Sequence, residues 1–176
     1  QGKLLSRTRT GEEKQGISLF CDMTRYGRTA AEYLPLENKM LETLLALGYF
    51  FARRGMGFFA CYHQKEPVRK SVKNIQDFDE FYQNVSTVVF GENGDLSNLV
   101  EQMSAQGGLW DNKVVFFVLH KMDMRMMETM QKLSAGGMAV VVYAVTDQNV
   151  REYIRQSGGR IRICQIPIEE PLEGRL

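Results

Sequence analysis

Short apolar runs alternate here with amphipathic stretches, and glycine stops and Asp or Thr caps punctuate them. That pattern predicts an α/β protein, a three-layer sandwich whose central, mostly parallel sheet carries helices on both faces. The runs Ile17–Cys21 (ISLFC), Val114–Leu119 (VVFFVL) and Met138–Val145 (MAVVVYAV) are too short for typical helices. They are also too uniformly apolar to have one wet face, so they read as strands buried on both sides. A length of 176 residues suits one domain with a sizeable core.

Residues 1–15 are polar and basic, with Lys3, Arg7, Arg9 and Lys14 and little apolar periodicity. They read as a lead-in, and a chain opening on Gln1 reads as part of something longer. The domain proper spans 16–166. A first strand over about 17–22 is followed by a loop to Leu34-Pro35, then by the strongest helical signal, over about 36–54. There Leu36, Met40, Leu44, Leu47 and Phe51 recur at helical spacing, and Arg53-Arg54-Gly55 supplies the cations and glycine that suit a C-terminus. Met56–His63 is a second strand, and 68–75, which alternates only loosely, is a short exposed edge strand. Asp77 caps a helix over about 78–90 and Asp95 another over about 96–106, with Gly91-Glu92-Asn93-Gly94 between them. After the strand 114–119 comes a helix to about Ser134, then the strand 138–145. Thr146-Asp147 caps a helix over about 148–157, Gly158-Gly159 ends it, and 160–166 is the last strand. The acidic, proline-bearing tail 167–176 is expected to be loosely held.

Charge is nearly balanced, 22 basic against 21 acidic side chains, for a formal net of +1. No global field therefore favours nucleic acid, an anionic membrane or an acidic substrate. Cys21, Cys61 and Cys164 are odd in number, far apart and without paired spacing. That speaks against a disulfide framework or a zinc site, and for reduced, buried thiols in a cytosolic protein. No apolar run reaches the roughly 18 residues needed to span a bilayer, and the opening residues do not read as a signal peptide.

Nucleotide binding would need G-x-G-x-x-G or G-x-x-x-x-G-K-[ST], whose backbone amides cradle phosphate; neither pattern occurs. No G-x-S-x-G elbow presents a nucleophilic serine. His63 and His120 both fall at strand carboxyl ends, where α/β sheets gather ligands. His120 with Asp22 and Asp123 is an oxygen and nitrogen set that a metal-dependent hydrolase could use, although a histidine hydrogen-bonded to a neighbouring loop is the commoner outcome. Met122, Met126 and Met130 share a helical face with Leu133 and read as adaptable core, which leaves Met124 and Met127 for the surface. The loop after the first strand holds Arg25, Tyr26 and Arg28, residue types typical of protein interfaces.

A strand closing on Asp22-Met23-Thr24, a long helix and the alternation that follows resemble a von Willebrand factor A domain, a Rossmann-type fold. Within that class the chain is similar to the bacterial proteins of domain-of-unknown-function family 58. Their lead-in is a Trp-Lys-x-Ser-Ala-Arg-Thr-Gly-like segment shortly before an Asp-x-Ser strand end. Lys3-Leu4-Leu5-Ser6-Arg7-Thr8-Arg9-Thr10-Gly11-Glu12 parallels it, and Phe20-Cys21-Asp22-Met23-Thr24 follows. Lys39 with Leu44-Leu45-Ala46-Leu47-Gly48, and then Arg53-Arg54-Gly55-Met56-Gly57, resembles the family's next segment.

The resemblance implies a non-enzymatic protein-binding module. It also implies a parent protein anchored in the membrane by upstream segments, a domain facing the cytoplasm and a MoxR-type AAA+ ATPase as partner. Domains of this class often carry a metal-ion-dependent adhesion site built from Asp-x-Ser-x-Ser, a threonine on a second loop and an aspartate on a third. Asp22 matches that pattern and Thr24 keeps the hydroxyl, but Tyr26 replaces the second serine. Gly94-Asp95 stands where Gly-Thr is expected, and Asp123 is displaced from the strand end that carries His120. A site so eroded is expected to hold Mg2+ or another divalent cation weakly or not at all. Its residual ligands would be Asp22, Thr24 and Asp123, with Arg25, Tyr26, Arg28 and His120 as a recognition rim, and no other cofactor is expected.

Overall fold

In the computed structural model, residues 16–92, 94–107, 109 and 112–176 are described; the lead-in over 1–15 lies outside them. Strands β1 (Ile17–Cys21), β2 (Phe58–His63), β3 (Pro67–Val72), β4 (Val114–Leu119), β5 (Ala139–Val145) and β6 (Ile161–Ile166) form a six-stranded sheet ordered β3-β2-β1-β4-β5-β6. All neighbours are parallel except β2 and β3, so the expected edge strand is the antiparallel one. Helices α1 (Ala30–Arg53) and α2 (Ile75–Ser86) cover one face. Helices α3 (Leu96–Ala105), α4 (Met124–Ala135) and α5 (Arg151–Gln156) lie over the other. The chain turns outward in opposite directions from β1 and β4, which makes the gap at their carboxyl ends the point where strand order reverses.

Strand pleating sorts the core into its two halves. Leu19 and Cys21 face the α1 side, and Phe20 faces the other, where its ring stacks on Phe117 of β4 with centroids 5.3 Å apart. Ser18, a polar residue inside β1, is buried but accepts a 2.7 Å hydrogen bond from Asn112 Nδ2. Met122, just before α4, and Met126 and Met130 on it join Leu133 in the core as their spacing predicts, and Met124 is 80% exposed. Met127, expected at the surface, is buried as well, because α4 packs with a wider stripe than one heptad face.

Element boundaries moved where capping chemistry outcompeted the apolar pattern. Helix α1 begins at Ala30 rather than near Leu36, with Thr29 and Glu32 forming a capping box. Pro35 therefore sits inside the helix, where it forfeits one backbone hydrogen bond in a turn whose outer residues are exposed to water. Asn74, not Asp77, caps α2: its side chain accepts from the Asp77 amide, while Asp77 Oδ2 accepts from the Lys73 amide. The short α5 starts only at Arg151, because Thr146 and Asp147 are engaged elsewhere, Thr146 Oγ1 with the Gln148 amide and Asp147 Oδ1 with the Ile168 amide.

The tail over 167–176 touches the domain along its first part. Ile168 and Leu172 pack against the α1 side of the core, and the buried Lys39 ammonium donates to the Glu170 carbonyl at 2.9 Å. A long side chain reaching from α1 supplied the anchor, which tail composition alone does not reveal.

The three cysteines are free. Burial pushes the Cys21 thiol up, and Cys61 to about 12, while Cys164 is half-buried. Cys164 alone is therefore expected to react with Ellman's reagent at pH 8 before unfolding, and all three after it. Because folding raises the Cys21 and Cys61 thiol pKa values, the contribution of these two to stability is complete below the unfolded-state value of about 8.5 and declines as pH rises toward 12. Alkaline titration of the thermal midpoint checks the second part.

Candidate functional site

Asp22 directly follows β1 at the strand-reversal point. Its amide donates to the Val118 carbonyl at 2.9 Å, which extends the β1–β4 ladder by one rung and fixes where the carboxylate stands. That carboxylate is buried, and both oxygens are occupied from within the loop. Oδ1 accepts from the Thr24 amide at 3.1 Å and the Thr24 hydroxyl at 2.6 Å; Oδ2 accepts from the Tyr26 phenol at 2.7 Å. Burial, the Asp22 charge and the Asp22 hydrogen bond, with a smaller push from Asp123, raise the Tyr26 pKa well above that of an ordinary phenol. Tyr26 thus stays protonated and keeps donating.

The loop carrying this cluster is stitched to the segment before α3. The Arg25 amide donates to the Gly91 carbonyl at 2.7 Å, and the Gly91 amide to the Met23 carbonyl at 3.0 Å. Gly94 then passes so close that a Cβ there would meet Thr24 Oγ1 at 2.0 Å. Only glycine fits between the second loop and the Thr24 hydroxyl. On the other side of the loop Gly27, at φ +111°, brings the chain against Glu32, whose Oε2 accepts from the amides of Arg28 and Thr29.

Of the expected rim, Arg25 points inward: it makes a two-pronged pair with buried Glu37 at 2.7 and 3.2 Å and lies 3.8 Å from the Tyr33 ring centroid. Its task is to pin the loop onto α1. The Arg28 side chain is exposed and has no partner among the described residues. His120, at the end of β4, donates from Nδ1 to the Val145 carbonyl at 2.8 Å and packs its ring against Tyr26, centroids 4.9 Å apart. Asp123 caps α4 by accepting from the Met126 amide at 2.7 Å.

This donor set does not fit a hard divalent cation. Asp22 and Thr24 satisfy each other, and the Tyr26 phenol lies against the carboxylate where a metal would have to bind. Asp123 spends one carboxylate oxygen on the cap of its helix. Among the described residues no three His, Cys, Asp or Glu side chains converge as metal ligands, so Asp22, His120 and Asp123 do not form the set that a hydrolase of that kind would require.

Residues that pattern reading passed over complete the cleft. Lys121 sits with its ammonium 5.3 Å from the Tyr26 ring centroid. Arg125, on the first turn of α4, pairs with Asp95 at 2.7 Å and Glu101 at 3.4 Å. Burial pushes the Asp95 carboxyl up, but the Asn98 amide and the Arg125 guanidinium outweigh it and hold the pKa below the usual value. Lys121 had one available signal, a cation beside a strand-end histidine. The Arg125–Asp95 pair spans two helices and had none.

Solved structures of other proteins share this architecture. The VWA domain of SpRpn10 superposes with a TM-score of 0.60 at 10% identity, covering 89% of both chains. Proximal thread matrix protein 1 from the mussel byssus gives 0.57 at 13% identity over 85% of this chain and 42% of that one. The von Willebrand factor type A structure from Catenulispora acidiphila gives 0.55 at 8% identity over 88% and 38%. The chain therefore has the von Willebrand factor A fold. No family model and no curated protein matches its sequence.

Proposed function

We propose that this chain is a non-enzymatic protein-interaction module that works without a metal ion, its binding surface being the crown of loops around Asp22. The observation that carries this reading is the Tyr26–Asp22 hydrogen bond, 2.7 Å long, which closes the carboxylate to a cation and leaves a preformed loop surface. The fold, which places that loop at the strand-reversal point, supports it. From the resemblance to domain-of-unknown-function family 58 we further propose that the partner is a MoxR-type AAA+ ATPase. The same resemblance suggests a membrane-anchored parent protein whose domain faces the cytoplasm. The adhesion-type cation site of that family is, in this reading, reduced to the internal Asp22–Thr24–Tyr26 network.

The test is calorimetric titration of the domain with the MoxR-type ATPase encoded in the same genome, with and without EDTA. Binding is expected in both conditions and is expected to weaken at least tenfold, about 1.4 kcal/mol, in the double variant Arg28→Glu and Lys121→Glu. Absence of binding would discard the ATPase as partner. Binding that appears only with a divalent cation would discard the metal-free reading.

A further inference from the structure

We infer that the crown is one continuous groove that takes a short extended peptide from the partner, seating a single lysine or arginine between Tyr26 and Asp123 with apolar residues on either side. The inference rests on the protein-interaction reading above. Three hollows line up across the carboxyl ends of the strands. The first, about 460 Å3, lies beyond β2 against Val89 and Phe90. The second, about 310 Å3, is the cleft of Asp22, Tyr26, Asp95 and Asp123. The third, about 330 Å3, lies beyond β4 and β5 on Ala144, Val150 and Tyr153. Gly94 is a wall of both the first and the second, and Lys121 and Asp123 are walls of both the second and the third.

The order β2-β1-β4-β5 puts three strand spacings between the outer hollows. At ~4.8 Å per spacing that is about 14–15 Å, the span of four or five extended residues at ~3.3 Å each. Both outer hollows offer apolar contacts, with Val89 itself 70% exposed in the first.

Hydrogen bonding and charge choose the central residue. Tyr26 gives its proton to Asp22, so the phenol shows the cleft an oxygen lone pair. Asp123 spends Oδ1 on its helix cap, and its other oxygen has no partner among the described residues. Arg125 is already held by Asp95 and Glu101. Asp22 and Asp123 thus face Lys121 alone as an uncommitted cation, which leaves the cleft one negative charge in excess. An ammonium or guanidinium complements these acceptors, whereas a carboxylate would face two carboxylates at close range.

The experiment is an NMR titration of the 15N-labelled domain with three blocked pentapeptides, acetyl-Ala-Leu-X-Leu-Ala-amide, where X is arginine, glutamine or glutamate. With arginine, amide signals near Val89–Gly91, Lys121–Asp123 and Thr146–Val150 are expected to move together along one binding curve. That affinity should exceed the glutamine and glutamate peptides' by about fivefold or more. Asp123→Asn keeps a good helix cap while removing the charge, so it should abolish the preference and leave the thermal midpoint unchanged. Equal affinities, a preference for glutamate, or shifts confined to one hollow overturn the inference. So does a domain that binds the ATPase but none of the peptides, an outcome that leaves the interaction reading standing; failure to bind either overturns the inference and discards the ATPase as partner.

Discussion

Replacing Asp22 by alanine is expected to lower the thermal midpoint by roughly 5–10 °C, equally in EDTA and in Mg2+. Three donors lose their acceptor at once, namely the Thr24 amide, the Thr24 hydroxyl and the Tyr26 phenol. Hydrogen bonds to a charged group are the stronger kind, and the donors released here are only partly able to find water, so the loss is about 2–4 kcal/mol. The sign is diagnostic. A carboxylate kept for metal binding strains an empty site, so its removal leaves the metal-free protein unchanged or more stable, and its effect appears only when cation is added. Calorimetric melts of the wild type and Asp22→Ala, each with EDTA and with Mg2+, separate the two. A midpoint that rises in EDTA, or falls only in Mg2+, would return Asp22 to the role of metal ligand.

Gly94→Val should lose a comparable amount, about 2–3 kcal/mol, and with it the interaction surface. The added Cβ would lie 2.0 Å from Thr24 Oγ1 and 3.1 Å from Thr24 Cβ, so rotating the hydroxyl away does not relieve the overlap. The two loops must separate. That breaks the Arg25–Gly91 and Gly91–Met23 bridges and frees Tyr26 from its fixed place on Asp22. Urea unfolding measures the loss, and the ATPase titration should show binding weakened well beyond what the stability change explains. Unchanged stability would mean that the loops have more slack than a 2.0 Å approach allows.

The first effect arises in hydrogen bonds within one loop and the second in a contact between two loops, and both depend on side-chain placement that periodicity does not encode. The strands were legible because a short run that is wholly apolar, as in Val114–Leu119, or broken only by Ser18, as in Ile17–Cys21, can be satisfied in few ways other than burial between two layers. The α4 face was legible for the same kind of reason, since Met126, Met130 and Leu133 recur at helical spacing. The start of α1 was obscured by Pro35, which is a stronger local break signal than the Thr29–Glu32 box that overrode it. In the site, Asp22, Thr24 and Tyr26 could be singled out from one short stretch. Their mutual hydrogen bonds could not, because a phenol four residues after a carboxylate can equally point away from it.

The layer architecture, the burial of the sheet between two helical layers and the position of Asp22 at a strand end could all be read from the amino-acid order. Those follow from local periodicity and from the strand-then-helix alternation, which leaves a parallel sheet few ways to form. The role of Asp22 emerges from the folded arrangement around it. Thr24 and Tyr26 of its own loop close the carboxylate, and residues brought from other loops hold them there. Here Gly94 closes against Thr24, His120 supports the Tyr26 ring, and Arg125 reaches from α4 to Asp95 near α3. Each of these contacts joins residues far apart in the chain, and their distances are set by the packing of the whole sandwich rather than by any pattern within one segment.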